Sequence, residues 1–203
     1  MGNRLQVLRR LLGYRDQKSS DLPRFFVMSD EKRLPDPVAL IPYLPKGCAI
    51  ILRHYQAPKR EQIAKRLIKA AHRREIKVLI AGGDAKQAQR CGADGVHYPE
   101  YALNKLPGKP RKPKKPWLTS AAVHNPKAAY KAKQSNIDFA VVSPIFPTES
   151  HPGATTLGPL RATKMGKLTG KRWIALGGVT EETAKQLRQS GFWGIAGIGL
   201  FKK

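Results

Sequence analysis

Residues 173–198 read WIALGGVTEETAKQLRQSGFWGIAGI, and the fold turns on how this stretch is read. An apolar run, Trp173–Leu176, meets the glycine pair Gly177-Gly178. A helix-like segment, Glu181–Gln189, follows Thr180, whose hydroxyl is placed to cap the first turn. Gly191 closes that segment where a left-handed residue is needed, and a second apolar run, Gly194–Ile198, begins. Apolar strand, helix, apolar strand is the signature of a parallel unit, because parallel neighbours need a crossover and their strands are buried on both faces.

Working outward, the same unit recurs. Apolar runs occur at Phe25–Met28, Cys48–Leu52, Val78–Ala81, Gly95–His97, Trp117–Ser120 and Phe139–Ser143. Helix patterns lie between several of them, at Lys59–Arg74, Lys86–Cys91 and Pro126–Gln134. Pro126 falls in the first turn after Asn125, and Gly92 ends the helix before it. Eight such units predict a compact (β/α)8 TIM barrel over residues 21–203 rather than an open sheet. Only residues 199–203 follow the eighth run, so the eighth helix is expected to be truncated.

Residues 1–20 form a separate extension. Leu5, Leu8, Leu11 and Leu12 alternate with Arg4, Arg9, Arg10 and Arg15, the pattern of a basic amphipathic helix. Three readings stand open: packing on the barrel flank left bare by the short end, binding an anionic surface, or acting as a presequence. The segment Leu106–Pro116, LPGKPRKPKKP, is expected to be an extended exposed loop, since its prolines lack donors and its charges repel.

Bulk properties narrow the classes. The 203 residues are 41% hydrophobic, with a mean hydropathy of −0.44, and no apolar run approaches the ~20 residues of a spanning helix. Cys48 and Cys91 lack metal or redox spacing and read as buried free thiols, which points to a reducing, cytoplasmic setting. Thirty-eight Lys and Arg against 14 Asp and Glu give +24, a field that draws anions of any kind. Small phosphorylated substrates, nucleic acid and an anionic surface are all compatible partners, and a homo-oligomer is also open.

In a parallel barrel, chemistry sits in the loops after the strand C-termini. Gly177-Gly178 follows the seventh run, and Gly197-Ile198-Gly199 ends the eighth. Glycines let backbone amides approach an anion, and a helix start adds a favourable dipole; two tight turns needing glycine are the plainer alternative. After the sixth run comes Ser143-Pro-Ile-Phe-Pro-Thr148-Glu-Ser150-His151, whose Ser143, Thr148 and Ser150 hydroxyls suit phosphate oxygens.

Three segments carry a resemblance. Cys91-Gly-Ala-Asp-Gly-Val-His97, Ser143-Pro-Ile-Phe-Pro-Thr148 and Ala175-Leu-Gly-Gly-Val179 are similar to hallmark segments of the thiamine phosphate synthase family and its relative, the thiazole tautomerase. The resemblance implies a (β/α)8 barrel that joins hydroxymethylpyrimidine pyrophosphate to thiazole phosphate, with Mg2+ on the pyrophosphate. It also implies roles for matching residues. Arg53 is what remains of a Gln-x-Arg-x-Lys motif, in Ile51-Leu-Arg-His-Tyr55. The Thr-x-Thr-Lys motif becomes Thr148-Glu149-Ser150-His151, and Gly177, Gly178, Ile198 and Gly199 match the phosphate-holding loops.

The other half of the implied site is diverged. The Asn-Asp pair falls on Gly82-Gly83, leaving Asp84 one place on, and the metal-binding acid falls at Ala102, with Glu100 near. Asp84 and Glu100 are therefore the candidate metal ligands, and Arg53, His151 and Ser143 the candidate catalytic residues. The tautomerase histidine falls on Pro144, so that reading needs His151 or His54; His97 and His124 also lie near strand ends. Synthase is the first reading. A tautomerase-like or non-catalytic thiazole-phosphate barrel without magnesium dependence is the alternative, and a polyanion-binding module comes third.

Overall fold

The computed structural model describes residues 22–106, 117–150 and 152–198. The expectations for residues 1–20, most of the Leu106–Pro116 loop, His151, Gly199 and the short C-terminal end lie outside these. Eight parallel strands close a barrel in sequence order. They are β1 (Phe25–Met28), β2 (Ala49–Leu52), β3 (Lys77–Ala81), β4 (Gly95–Tyr98), β5 (Leu118–Val123), β6 (Phe139–Val142), β7 (Arg172–Leu176) and β8 (Gly194–Gly197). The seam pairs Phe25 with Ile195, Phe26 with Ala196 and Val27 with Gly197.

The helices are α1 (Arg60–His72), α2 (Ala85–Cys91), α3 (Pro126–Gln134), α4 (Gly158–Leu168) and α5 (Glu181–Ala184). 3-10 segments cover Pro37–Tyr43, Glu100–Lys105 and Lys185–Leu187. The capping signals act as the sequence predicts. Asn125 accepts from the Ala128 amide, and Thr180 and Thr183 form a reciprocal capping box. Gly92 ends α2 at φ 80°.

Two departures have physical causes. The helix expected over Glu181–Gln189 is four residues of α-helix followed by a 3-10 turn, so its dipole is small. Helix α4, in contrast, has no clear sequence pattern because Gly158, Pro159 and Gly166 are poor helix formers. Packing decides it: a Cβ on Gly166 would lie 2.3 Å from Cδ2 of Trp173, so glycine lets α4 rest against β7.

Alternate strand residues build two cores, as pleating requires. Phe26, Met28, Ile51, Leu79, Phe139, Val141 and Ile174 fill the barrel, where the Phe26 and Phe139 rings meet edge to face at 5.4 Å. Phe25, Val27, Ile50, Leu52, Val78 and Ile80 face outward against helix residues such as Leu67, Ile68 and Ala132. The packed interior makes a rigid floor and leaves function to the rim.

Candidate active site

The rim is built loop by loop. After β1, the Asp30 carboxylate accepts from the amides of Lys32 (3.1 Å) and Arg33 (2.9 Å), while the Leu34 amide donates to the Asp30 carbonyl at 2.8 Å. This closed turn presents Arg33. The Arg33 amide, above all, holds the Asp30 carboxyl below its ordinary range against the opposing effect of burial, with the Lys32 amide and the Arg53 and Arg33 charges assisting. The Ser29 hydroxyl accepts from the Arg53 amide at 2.7 Å and stands 2.9 Å from His54 Nδ1. His54 Nε2 donates to the Pro35 carbonyl at 3.1 Å. His54 is thus a brace for the β1 and β2 ends, and Arg53 starts from a fixed backbone.

The β4–β6 side is held by a second network. His124 Nδ1 donates to the Ser143 carbonyl at 2.9 Å, with the Ser143 hydroxyl at 3.2 Å. Beneath it, buried His97 has Nδ1 2.9 Å from the Ser120 hydroxyl. Burial pushes the His97 imidazole down to about 3, and the nearby charges of Arg53 and His124 add to this. His97 is therefore a neutral buried support and not a proton carrier near neutrality.

The β6 and β7 loops dock on each other through backbone bonds, Ile145 to the Leu176 carbonyl and Phe146 to the Gly177 carbonyl, each 3.0 Å. Gly177 and Gly178 lie at φ 96° and 62°. A Cβ on Gly178 would sit 2.3 Å from the Pro147 carbonyl oxygen and 2.7 Å from Phe146 Cβ. Close backbone approach alone therefore demands glycine here, before any ligand is considered.

These loops surround a cavity of about 740 Å3 at the strand C-termini. Its walls bring together Arg53, Ser143, Thr148, Ser150, Gly177, Gly178 and Ile198, all anticipated from sequence. They also include Arg33, His124, Glu149, Glu182 and Thr183. Of these, His124 has a sequence signal in its place at a strand end, and Glu149 in its place beside Thr148 and Ser150 in the β6 loop. Arg33 lies in a charged turn of no recognisable motif, and only the fold carries it to the rim. The four-residue α5 opens with Glu181 and Glu182, so the helix dipole expected after strand seven adds little for an anion.

The metal expectation fares differently. Asp84 and Glu100 are outside this cavity wall. Asp84 caps α2 by accepting from the Gln87 amide at 2.9 Å. Both Glu100 oxygens are occupied, one by the His124 amide at 2.8 Å and the other by the Asn125 side chain. Among the described residues no group of three His, Cys, Asp or Glu side chains could hold a metal. Among the described residues no dedicated protein cage for Mg2+ is formed, and an ion here would rely on substrate phosphate oxygens and water for most of its ligands.

Residues 40–201 match the sequence pattern of the family described as thiamine monophosphate synthase. The chain belongs to that family. A Chlorobium luteolum thiamine-phosphate synthase is 32% identical over 193 residues, covering 89% of this chain and 86% of the relative. An Aquifex aeolicus protein, provisionally named thiamine-phosphate synthase 2, is 30% identical over 186 residues, covering 89% and 98%. Among solved structures, a thiamine phosphate pyrophosphorylase from Pyrococcus furiosus superposes with a TM-score of 0.69 at 23% identity, covering 88% and 86%. That likeness bears on the fold. Family membership accounts for the rim position of the hallmark segments.

Proposed function

We propose that this chain is a thiamine phosphate synthase, a transferase that joins hydroxymethylpyrimidine pyrophosphate to thiazole phosphate and releases pyrophosphate. The observation that carries the reading is the cavity at the strand C-termini, where Arg53 faces the hydroxyls and glycine turns of the β6–β8 loops in a chain of this family. The bond from the pyrimidine methylene carbon to the pyrophosphate oxygen breaks, and its electron pair leaves with pyrophosphate. The thiazole nitrogen lone pair then forms the new C–N bond.

Each residue type suits that charge flow. The Arg53 guanidinium offers fixed donors to the leaving group, which gains charge as the bond breaks. Thr148 and Ser150 offer hydroxyls to the thiazole phosphate. Phe146, Leu176 and Ile198 give the cavity apolar wall, which suits ring binding and keeps water from the cationic centre. No step is assigned to a protein-held metal. Both cysteines are buried and unlinked, in keeping with a reducing compartment such as the cytoplasm. Among the described residues no helix is long and apolar enough to cross a membrane.

The test is a chromatographic assay for thiamine phosphate and pyrophosphate from both substrates, with and without Mg2+. Wild type should form both products, and Arg53→Ala should lose on the order of 100-fold in rate while staying folded. A folded wild type that forms neither product under either condition refutes the reading.

A further inference from the structure

Arg33 and the β6 loop make a contact that the sequence gives no reason to expect. Strand β1 pairs with β2 and β8, not with β6. Yet Arg33 Nη1 donates to the Ser150 hydroxyl at 2.6 Å, and Nη2 donates to Glu149 Oε2 at 3.2 Å. All three residues line the cavity, so the contact arches over its rim. The Arg33 side chain is 31% exposed and that of Glu149 is 89% exposed. A carboxylate so open to water holds a guanidinium weakly, because solvent screens the pair.

The Asp30 turn fixes the backbone of Arg33, and the Ser150 hydroxyl and Glu149 carboxylate hold its guanidinium at the rim. Its planar fork suits two oxygens of a phosphate, a better partner than one exposed carboxylate oxygen. Ser150, already joined to Arg33, offers a hydroxyl to the same anion.

We propose that Arg33 is an anion-binding residue of this site and that Glu149 occupies its guanidinium until a phosphorylated ligand displaces the carboxylate. The ligand class is a phosphate monoester or a diphosphate, and the proposal rests on the synthase reading above. Glu149 then acts as a competitor for Arg33. It lowers the affinity for weakly bound anions.

The experiment is titration calorimetry of two probes, thiazole phosphate and inorganic pyrophosphate, on wild type, Glu149→Gln, Arg33→Gln and the double variant. Glu149→Gln should tighten binding of one probe about twofold to fivefold, and Arg33→Gln should weaken it at least about tenfold. In the Arg33→Gln background, Glu149→Gln should change nothing. The probe that shows this coupling identifies which substrate's anion Arg33 meets. Weaker binding by Glu149→Gln would mean that the contact is a structural latch, and equal tightening in both backgrounds would mean a general charge effect. Either overturns the proposal, as does wild-type affinity in Arg33→Gln. Wild type that binds neither probe overturns the synthase reading too, whereas wild-type binding without coupling overturns only this inference. Because Glu149 is so exposed, its variant cannot fail merely by unfolding; Arg33→Lys, keeping charge without the fork, should fall between wild type and Arg33→Gln.

Discussion

Gly178 approaches the Pro147 carbonyl so closely that a single added methyl carbon would stand 2.3 Å from its oxygen. The β7 turn and the β6 loop can therefore pack only if residue 178 has no side chain. Gly178→Ala should destabilise the protein by about 2 kcal/mol or more, through this clash and the strain of φ 62°. It should also loosen the cavity wall. Urea denaturation reads the first effect, and weaker binding of thiazole phosphate the second; unchanged values for both would show that the loops part freely.

His97 carries a prediction about acid stability. Its folded-state value is about 3 against an ordinary 6.5. Below about pH 6.5 the unfolded chain takes up a proton that the folded chain refuses until about pH 3. Stability from this group is thus fully present above 6.5 and falls with pH across that window, by up to about 1.4 kcal/mol per pH unit. His97→Gln should be less stable than wild type at pH 7, and the gap should narrow by pH 4. Urea melts at the two pH values measure it, and a constant gap would rule out a neutral buried imidazole.

Asp84 separates capping from metal binding. Asn caps a helix about as well as Asp, so Asp84→Asn should leave stability within about 0.5 kcal/mol. Its Mg2+ response, in turnover and in calorimetry, should match that of wild type. A selective loss of magnesium response in a fully stable variant would show that Asp84 is a ligand after all.

Phe139 tests the barrel floor. It is fully buried and meets Phe26 edge to face. Phe139→Ala should cost about 3–5 kcal/mol through lost burial and the cavity left behind. Phe139→Leu should cost clearly less, and thermal melts of the pair distinguish packing from a ring-specific effect.

Much of the fold is legible because its determinants are local. Apolar runs buried on both faces mark strands, while Asn125, Pro126, Thr180 and Gly92 mark helix ends through their own backbones. Helix α4 is not legible, since the reason for Gly166 lies on Trp173, across the helix–strand interface. The site divides the same way. Arg53, Ser143, Thr148, Ser150, Gly177, Gly178 and Ile198 follow strand ends, so the barrel gathers them at one rim.

By itself, then, the sequence determined a parallel barrel and the loops that form its rim. Only the tertiary structure decided what Glu100, Asp84 and Arg33 do. Glu100 is taken up by His124 and Asn125, Asp84 by the α2 cap, and Arg33 reaches across the rim to Glu149 and Ser150. The reason is physical. Periodicity and capping act over a few residues, whereas the partner that claims a charged side chain is chosen by chain closure. Gly177 and Gly178 of the β7 loop belong to both accounts: their place was readable, but their necessity comes from the loop that packs on them.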